Sequence, residues 1–361
     1  MDQRQGGNEI LIMLNDLQTI ARSIDTLLKQ DPFPETVKPE YLREAVRDYP
    51  VRGGKRLRPA IVIWCCELLG GDRAQALYPA AAAEVFHNWT LVHDDIIDQD
   101  NTRRGKPTCH ITLQKDLGNR FRLSEADAVR SGRDYAILAG DLQQGWATDL
   151  ILRSATHGVS AEKILQILQK LEKYANNELI SGEALDVEFS LRPIESVTED
   201  EVREMIYLKT GALLRFCAEA GAVLGGGSED AVARLGKFAS AAGMAFQLRD
   251  DYLGIFGDFA VFGKAIGGDL REKKATLLLS KTFAQAAPTD KATLLSMLGK
   301  AEYTPDELRT IQKIMQKTGQ AVLQEAHALA DESKQILLTF PDSPARSRLL
   351  ALVDYLIDRQ I

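Results

Sequence analysis

Among 361 residues no apolar run approaches the roughly 20 needed to cross a bilayer, and the opening MDQRQGGNEI has no basic stretch leading into an apolar core. A spanning helix and a secretory leader are therefore not expected; the expected location is the cytoplasm, without stable membrane insertion. Cysteine is scarce: Cys65, Cys66, Cys109 and Cys217 form no C-x-x-C pair, and the adjacent Cys65 and Cys66 are badly placed to bridge. That pattern offers no structural zinc site and fits a reduced compartment. Positive charge is in deficit, 44 Lys and Arg against 51 Asp and Glu, so the broad basic surface that nucleic acid requires is missing. Also absent are strand-length Val, Ile, Thr and aromatic runs between regular turns, which leaves an all-α reading, and any fixed-period repeat, which counts against a solenoid. No long Pro/Ser-rich or single-sign linker interrupts the chain. One domain over 1–361 is expected, with 1–30 as an N-terminal extension and first helix.

What fills the sequence is helix signal. Thr304-Pro305-Asp306-Glu307 supplies a cap, a first-turn proline and a capping-box acid, and Thr198 with Glu201 repeats the cap and the acid. Apolar-periodic stretches run from Ala161 to Phe189 and from Glu201 to Leu224, the second stopped by Gly225-Gly226-Gly227. From Ala80 to Asp98 apolar residues surround the axis. From Ala231 to Phe256 the pattern is similar, and Ala241, Ala242, Gly243 and Ala245 permit close helix approach. Both segments are predicted to be buried helices, and both end in aspartates.

In the first of these, Asp94 and Asp98 are four apart and Asp95 and Asp98 three apart, so the carboxylates crowd one side of a helix end. Two such charges at ~5 Å repel by about 3 kcal/mol at an effective dielectric of ~20. Either water solvates this end or a multivalent cation neutralises it. The apolar helix, the second pair Asp250 and Asp251, and the basic residues and glycine turns after both clusters favour the cation. Oxygen ligands without His or Cys sets favour magnesium, which binds through a few carboxylates plus substrate phosphates.

Cations are at hand. Lys55, Arg56 and Arg58 follow Gly53-Gly54, just before a helix start expected at Pro59, and a flexible turn with positive charge at a helix N-terminus suits an anion. Alone, such a loop is more often simply solvated. Arg103 and Arg104 follow the first acids, YLKTG adds Lys209 and Thr210, and FGKAIGGDLREKKAT adds Lys264, Lys273 and Lys274. His87 lies seven residues before Asp94, two turns away on one face, whereas His93 is read as a satisfied core residue.

These segments together resemble the trans-isoprenyl diphosphate synthases. The ordered set GGKRLRP, HNWTLVHDDIIDQDNTRRGKPT, AILAGD, YLKTGAL, FQLRDDYLGIFGD and GKAIGGDLREKKAT carries the likeness from about Pro50 to the C-terminus. The resemblance implies an all-α, single-domain orthogonal bundle of long helices around a central cavity, usually a homodimer. It implies that Lys55, Arg58, His87 and Arg104 bind isopentenyl diphosphate. Asp94, Asp95 and Asp98, with Asp250 opposite, would hold magnesium, three ions per site. Arg103, Lys209 and Lys264 would meet the allylic diphosphate, with Thr210, Phe246 and Gln247 lining the same cavity. The implied reaction is ionisation of an allylic diphosphate, attack by the isopentenyl double bond, and loss of a proton; apolar walls keep water from the cation.

The chain departs from the pattern at the second cluster, Asp250-Asp251-Tyr252-Leu253-Gly254, where a third acid is expected and glycine stands; Asp258 lies one turn on. Asp251 is expected to act directly or through water. The segment from Asp116 to Asp134 is longer than the connection expected after the arginines, a mobile cover or a tolerated surface insertion, of which the insertion is the favoured reading. Trp89 and Thr90, five and four residues before Asp94, would floor the elongation cavity, a pattern resembling enzymes that stop at geranylgeranyl diphosphate, with farnesyl diphosphate as the alternative product. A terpene cyclase on this fold would not need Lys55, Arg58, His87 and Arg104. A non-catalytic partner subunit usually loses an acid cluster, and here the first is intact.

Overall fold

The computed structural model describes residues 3–257 and 266–357, so Asp258 and Lys264 lie outside the described residues. The described chain is all-α, as expected, apart from one two-stranded hairpin. It divides into two compact units.

The N-terminal unit comprises Leu11–Gln169 and Glu219–Ser228. Its helices are α1 (Gln3–Gln30, most of its length), α2 (Glu40–Val51), α3 (Leu57–Leu68), α4 (Arg73–Ile97), α5 (Cys109–Phe121), α6 (Glu125–Arg153) and α7 (Ala161–Lys170, shared with the second unit). α1 buries Met13, Leu17, Ile20, Ile24 and Leu28, one stripe at three- and four-residue spacing. α4 begins a turn and more before the expected Ala80, because Asp72 caps it by accepting a hydrogen bond from the Ala74 N–H at 2.9 Å. Its run Ala80–Ala83 has no exposed surface, and it packs against α3 and α6. α3 starts at Leu57, two residues before the expected Pro59. The four cysteines are buried and unbridged.

The stretch from Asp116 to Asp134 is helical and largely exposed. It is the end of α5 and the start of α6, joined by Arg122 at φ 52° and a Ser124 cap that accepts from the Asp127 N–H. Gly132 explains the tight join: a Cβ there would stand 2.5 Å from the His110 carbonyl oxygen. His93 likewise is a bridge between helices rather than a core residue. Its Nε2 lies 3.2 Å from the Ile137 carbonyl on α6, against Gly140, where a Cβ would come within 2.4 Å of the ring.

The C-terminal unit comprises the described residues of Met1–Ile10, Lys170–Ala218 and Glu229–Ile361. A π-helical stretch, Leu171–Glu178, leads into α8 (Leu179–Leu191). Next, α9 (Glu199–Ile206) runs through a second π stretch, Tyr207–Gly211, into α10 (Ala212–Leu224), which is divided between the units. There follow α11 (Glu229–Phe256), α12 (Gly268–Arg271), α13 (Leu277–Gln285), α14 (Pro288–Met297), α15 (Pro305–Leu338) and α16 (Pro344–Ile357). Both expected capping boxes form, Thr198 with Glu201 and Thr304 with Glu307. The core of this unit joins Val202, Ile206, Leu248, Leu277, Ile311 and Val322.

Candidate functional site

In the N-terminal unit the end of α4 presents Asp94 and Asp98, both partly exposed, while Asp95 is fully buried. Two strands follow, Thr102–Arg103 and Lys106–Pro107, paired antiparallel with Arg103 opposite Lys106. The two turn residues, Arg104 at φ 54° and Gly105 at φ 73°, are both left-handed, the geometry a two-residue hairpin needs to match strand twist. The hairpin turns Arg103 back onto α4: its Nε donates to Asp95 Oδ1 at 2.5 Å and its Nη2 to Asp94 Oδ2 at 3.1 Å. Asp95 also accepts from the Tyr49 hydroxyl, which in turn accepts from the Cys109 N–H at 3.1 Å. Burial first, then the Asp95 carboxylate, hold the Tyr49 hydroxyl protonated well above its usual range.

Positive charge gathers around His87. Its imidazole is held well below its ordinary pKa, first by burial and then by Arg58, Arg104, Arg103 and Arg56. The Arg104 Nη1 donates to the Gly53 carbonyl at 2.7 Å, closing the hairpin onto the Gly53-Gly54 loop that carries Lys55. Thr90 donates to the His87 carbonyl at 2.8 Å, and Trp89, 8% exposed, meets Phe86 edge-on at 4.6 Å between ring centres and His93 at 5.6 Å. Arg103 and Arg104, with Tyr49 and Asn88, line a narrow cleft of about 10 Å³. A wider hollow of about 570 Å³ runs along Tyr41, Asp48, Lys106 and Leu113, and none of the expected acids lines it.

In the C-terminal unit α11 presents Phe246, Gln247 and Asp250, all partly exposed, and buries Asp251. Gln247 donates to Asp251 Oδ1 at 2.9 Å and accepts from Thr210 at 3.4 Å, so the π stretch and α11 share one polar line. Asp251 is pushed well above the usual carboxylate range, first by burial and then by the charges of Asp269, Asp250 and Asp186. Lys209 is ion-paired to Asp186 at 2.7 Å and to Glu183 at 2.8 Å.

Gly254 answers its own departure. A Cβ built there would meet Asp269 Oδ2 at 3.0 Å, and the Gly267 N–H donates to the Gly254 carbonyl at 2.8 Å, so a carboxylate from the GGD turn fills the space beside the absent acid. Sequence reasoning did not single out Asp269, although it lies in GKAIGGDLREKKAT, nor Tyr49, Glu183 and Asp186, which the structure places against the expected site residues. Glycine in a motif position was the available signal for Asp269; for the others, contacts between distant segments carry the information.

Among the described residues no three His, Cys, Asp or Glu side chains gather into a ready metal cage. The donors nonetheless fit magnesium, which keeps several waters and takes one or two carboxylates: Asp94 and Asp98 stand one turn apart, and the charges of Asp269, Asp250 and Asp186 act on Asp251.

The fold is shared with solved synthases. The geranylgeranyl pyrophosphate synthetase of Pyrococcus horikoshii superposes with a TM-score of 0.84 at 33% identity, over 96% of this chain and 98% of that one. The Corynebacterium glutamicum geranylgeranyl pyrophosphate synthase, solved with isoprenyl diphosphate and magnesium, gives 0.82 at 28% identity, over 96% and 99%. The short chain isoprenyl diphosphate synthase of Methanothermobacter thermautotrophicus is 33% identical over 90% of this chain and 92% of its own. The polyprenyl synthetase family model matches residues 39–315, and the chain belongs to that family.

Proposed function

We propose that the protein is a short-chain trans-prenyltransferase that condenses isopentenyl diphosphate with an allylic diphosphate to give geranylgeranyl diphosphate. The observation that carries this reading is the gathering of Arg58, Arg103 and Arg104 about His87, in the unit that also presents Asp94 and Asp98. A cyclase has no use for that second diphosphate pocket, and a non-catalytic subunit has no use for the intact acids.

In this reading Lys55, Arg58, His87 and Arg104 bind the isopentenyl diphosphate. A neutral imidazole can donate to a phosphate oxygen without adding charge to a crowd of guanidiniums. Asp94, Asp98 and Asp250 are the magnesium ligands, Asp251 acts through water, and Asp269 stands in for the acid missing at Gly254. Bound magnesium would draw charge from the departing pyrophosphate. Arg103 and Lys209, each tied to carboxylates, would exchange those partners for the allylic diphosphate, and Lys264 joins them from outside the described residues. Asp95 would reach a metal ion only once Arg103 lets go of it. Phe246, Thr210 and Gln247 line the allylic site. The allylic C–O bond breaks to a carbocation and pyrophosphate, the isopentenyl double bond attacks the cation, and the proton it loses goes to pyrophosphate.

The whole chain works as one catalytic domain in this reading, which the family match across both units supports. A homodimer also belongs to it, supported by exposed Phe121, Ile137 and Leu138 on α5 and α6. Cytoplasmic placement fits the described helices, none of which is long and apolar enough to cross a membrane.

The test is purified protein with magnesium, isopentenyl diphosphate and each allylic primer, with products dephosphorylated and separated by chain length, and the protein's mass in solution measured alongside. A C20 product and twice the chain mass are expected. Farnesyl diphosphate as the end product would correct the chain length. Products formed without isopentenyl diphosphate would identify a cyclase, and no turnover with any primer a non-catalytic subunit.

A further inference from the structure

Arg56 sits between Lys55 and Arg58 and reads in the sequence as a third cation for the same anion. Its surroundings say otherwise. It is 2% exposed, and its guanidinium is spent on protein: Nε and Nη2 donate to Asp25 Oδ1 at 3.0 and 2.7 Å, Nη1 to Glu84 Oε1 at 2.6 Å, and Nη2 to the Pro50 carbonyl at 2.7 Å. Two carboxylates thus neutralise it where no diphosphate can reach. Its backbone is left-handed, φ 53°, a conformation a residue with a Cβ adopts at a cost and keeps only where its surroundings hold it. Asp25 belongs to α1. Glu84 lies on α4 one turn before His87. The fork therefore ties the Gly53-to-Arg58 loop to the helix turn that carries His87, while Arg104 holds the loop's other side at Gly53.

We propose that Arg56 is a positioning residue: a buried, neutralised strut that fixes Lys55 and Arg58 relative to His87 and thereby sets affinity for isopentenyl diphosphate without touching it. This rests on the assignment of Lys55, Arg58 and His87 to that substrate. Arg56→Lys keeps the charge but cannot make the fork, and Asp25→Asn weakens it from the partly exposed side without leaving a buried charge unpaired. Steady-state kinetics with each substrate varied separately, together with the thermal midpoint, reads the result. KM for isopentenyl diphosphate should rise about tenfold in Arg56→Lys and about threefold in Asp25→Asn, the scale of one or two charge-assisted hydrogen bonds, with kcat and the allylic KM within about twofold. If Arg56→Lys does not fold, Asp25→Asn decides. The inference is overturned if the folded variants keep the parent KM for isopentenyl diphosphate while Lys55→Ala raises it. If Lys55→Ala and Arg58→Ala also leave that KM unchanged, the pocket assignment itself is wrong and the inference goes with it.

Discussion

At the scale of the residue, His87 shows an imidazole kept neutral beside a cluster of guanidiniums. Burial and its arginine neighbours keep the folded imidazole neutral, whereas the unfolded chain titrates near pH 6.5. Below about pH 6.5 the unfolded state therefore binds a proton that the folded state refuses, and stability falls as pH drops, by at most about 1.4 kcal/mol per unit. His87→Gln removes that slope. Urea unfolding of both proteins between about pH 5 and 7, without substrate, should give curves that diverge toward acid, and parallel curves would rule the neutral imidazole out. Asp251 has the opposite sign, since burial first and then the charges of Asp269, Asp250 and Asp186 raise it.

At the scale of the element, helix starts and stops were legible because capping is local chemistry. Thr198, Thr304 and the Gly225–Gly227 stop all act within a few residues of themselves. The π stretch at Tyr207–Gly211 was not legible, since it answers a neighbour. α8 approaches so closely that a Cβ at Gly182 would stand 2.3 Å from the Lys209 nitrogen. The hairpin of Arg103 was hidden for a related reason: its strands are two residues long, below any periodicity. On α4, Trp89 is five residues before Asp94, about 7.5 Å along the axis. Trp89→Ala should lengthen the main product by at least one isoprene unit and cost about 3–5 kcal/mol as a buried ring is lost. Chromatography of the products checks the first, and an unchanged distribution would remove Trp89 from the floor.

At the scale of the whole molecule, the acids are divided between two units of one chain: Asp94, Asp95 and Asp98 in one, Asp250, Asp251 and Asp269 in the other. Ligands that bind only the folded state raise its stability by mass action, about 2.7 kcal/mol at a hundredfold excess over Kd. Magnesium with an unreactive allylic diphosphate analogue should therefore raise the thermal midpoint together, and either alone much less, because each supplies the charge the other lacks. Calorimetry with chelator, metal, analogue and both decides; equal shifts from the analogue with and without magnesium would contradict a metal-bridged site.

The sequence by itself determined the all-α class, the capping boxes at Thr198 and Thr304, the buried character of α4 and α11, and the order of acidic and basic motifs. Those depend on spacing along one chain and on the chemistry of near neighbours. Tertiary structure alone decided that Arg56 faces Asp25 and Glu84 rather than an anion, that Asp95 is held by Tyr49 and Arg103, and that Asp269 fills the place beside Gly254. In each case the deciding partner lies eight to dozens of residues away. Which charges neutralise one another is set by through-space distance and burial, and periodicity carries neither.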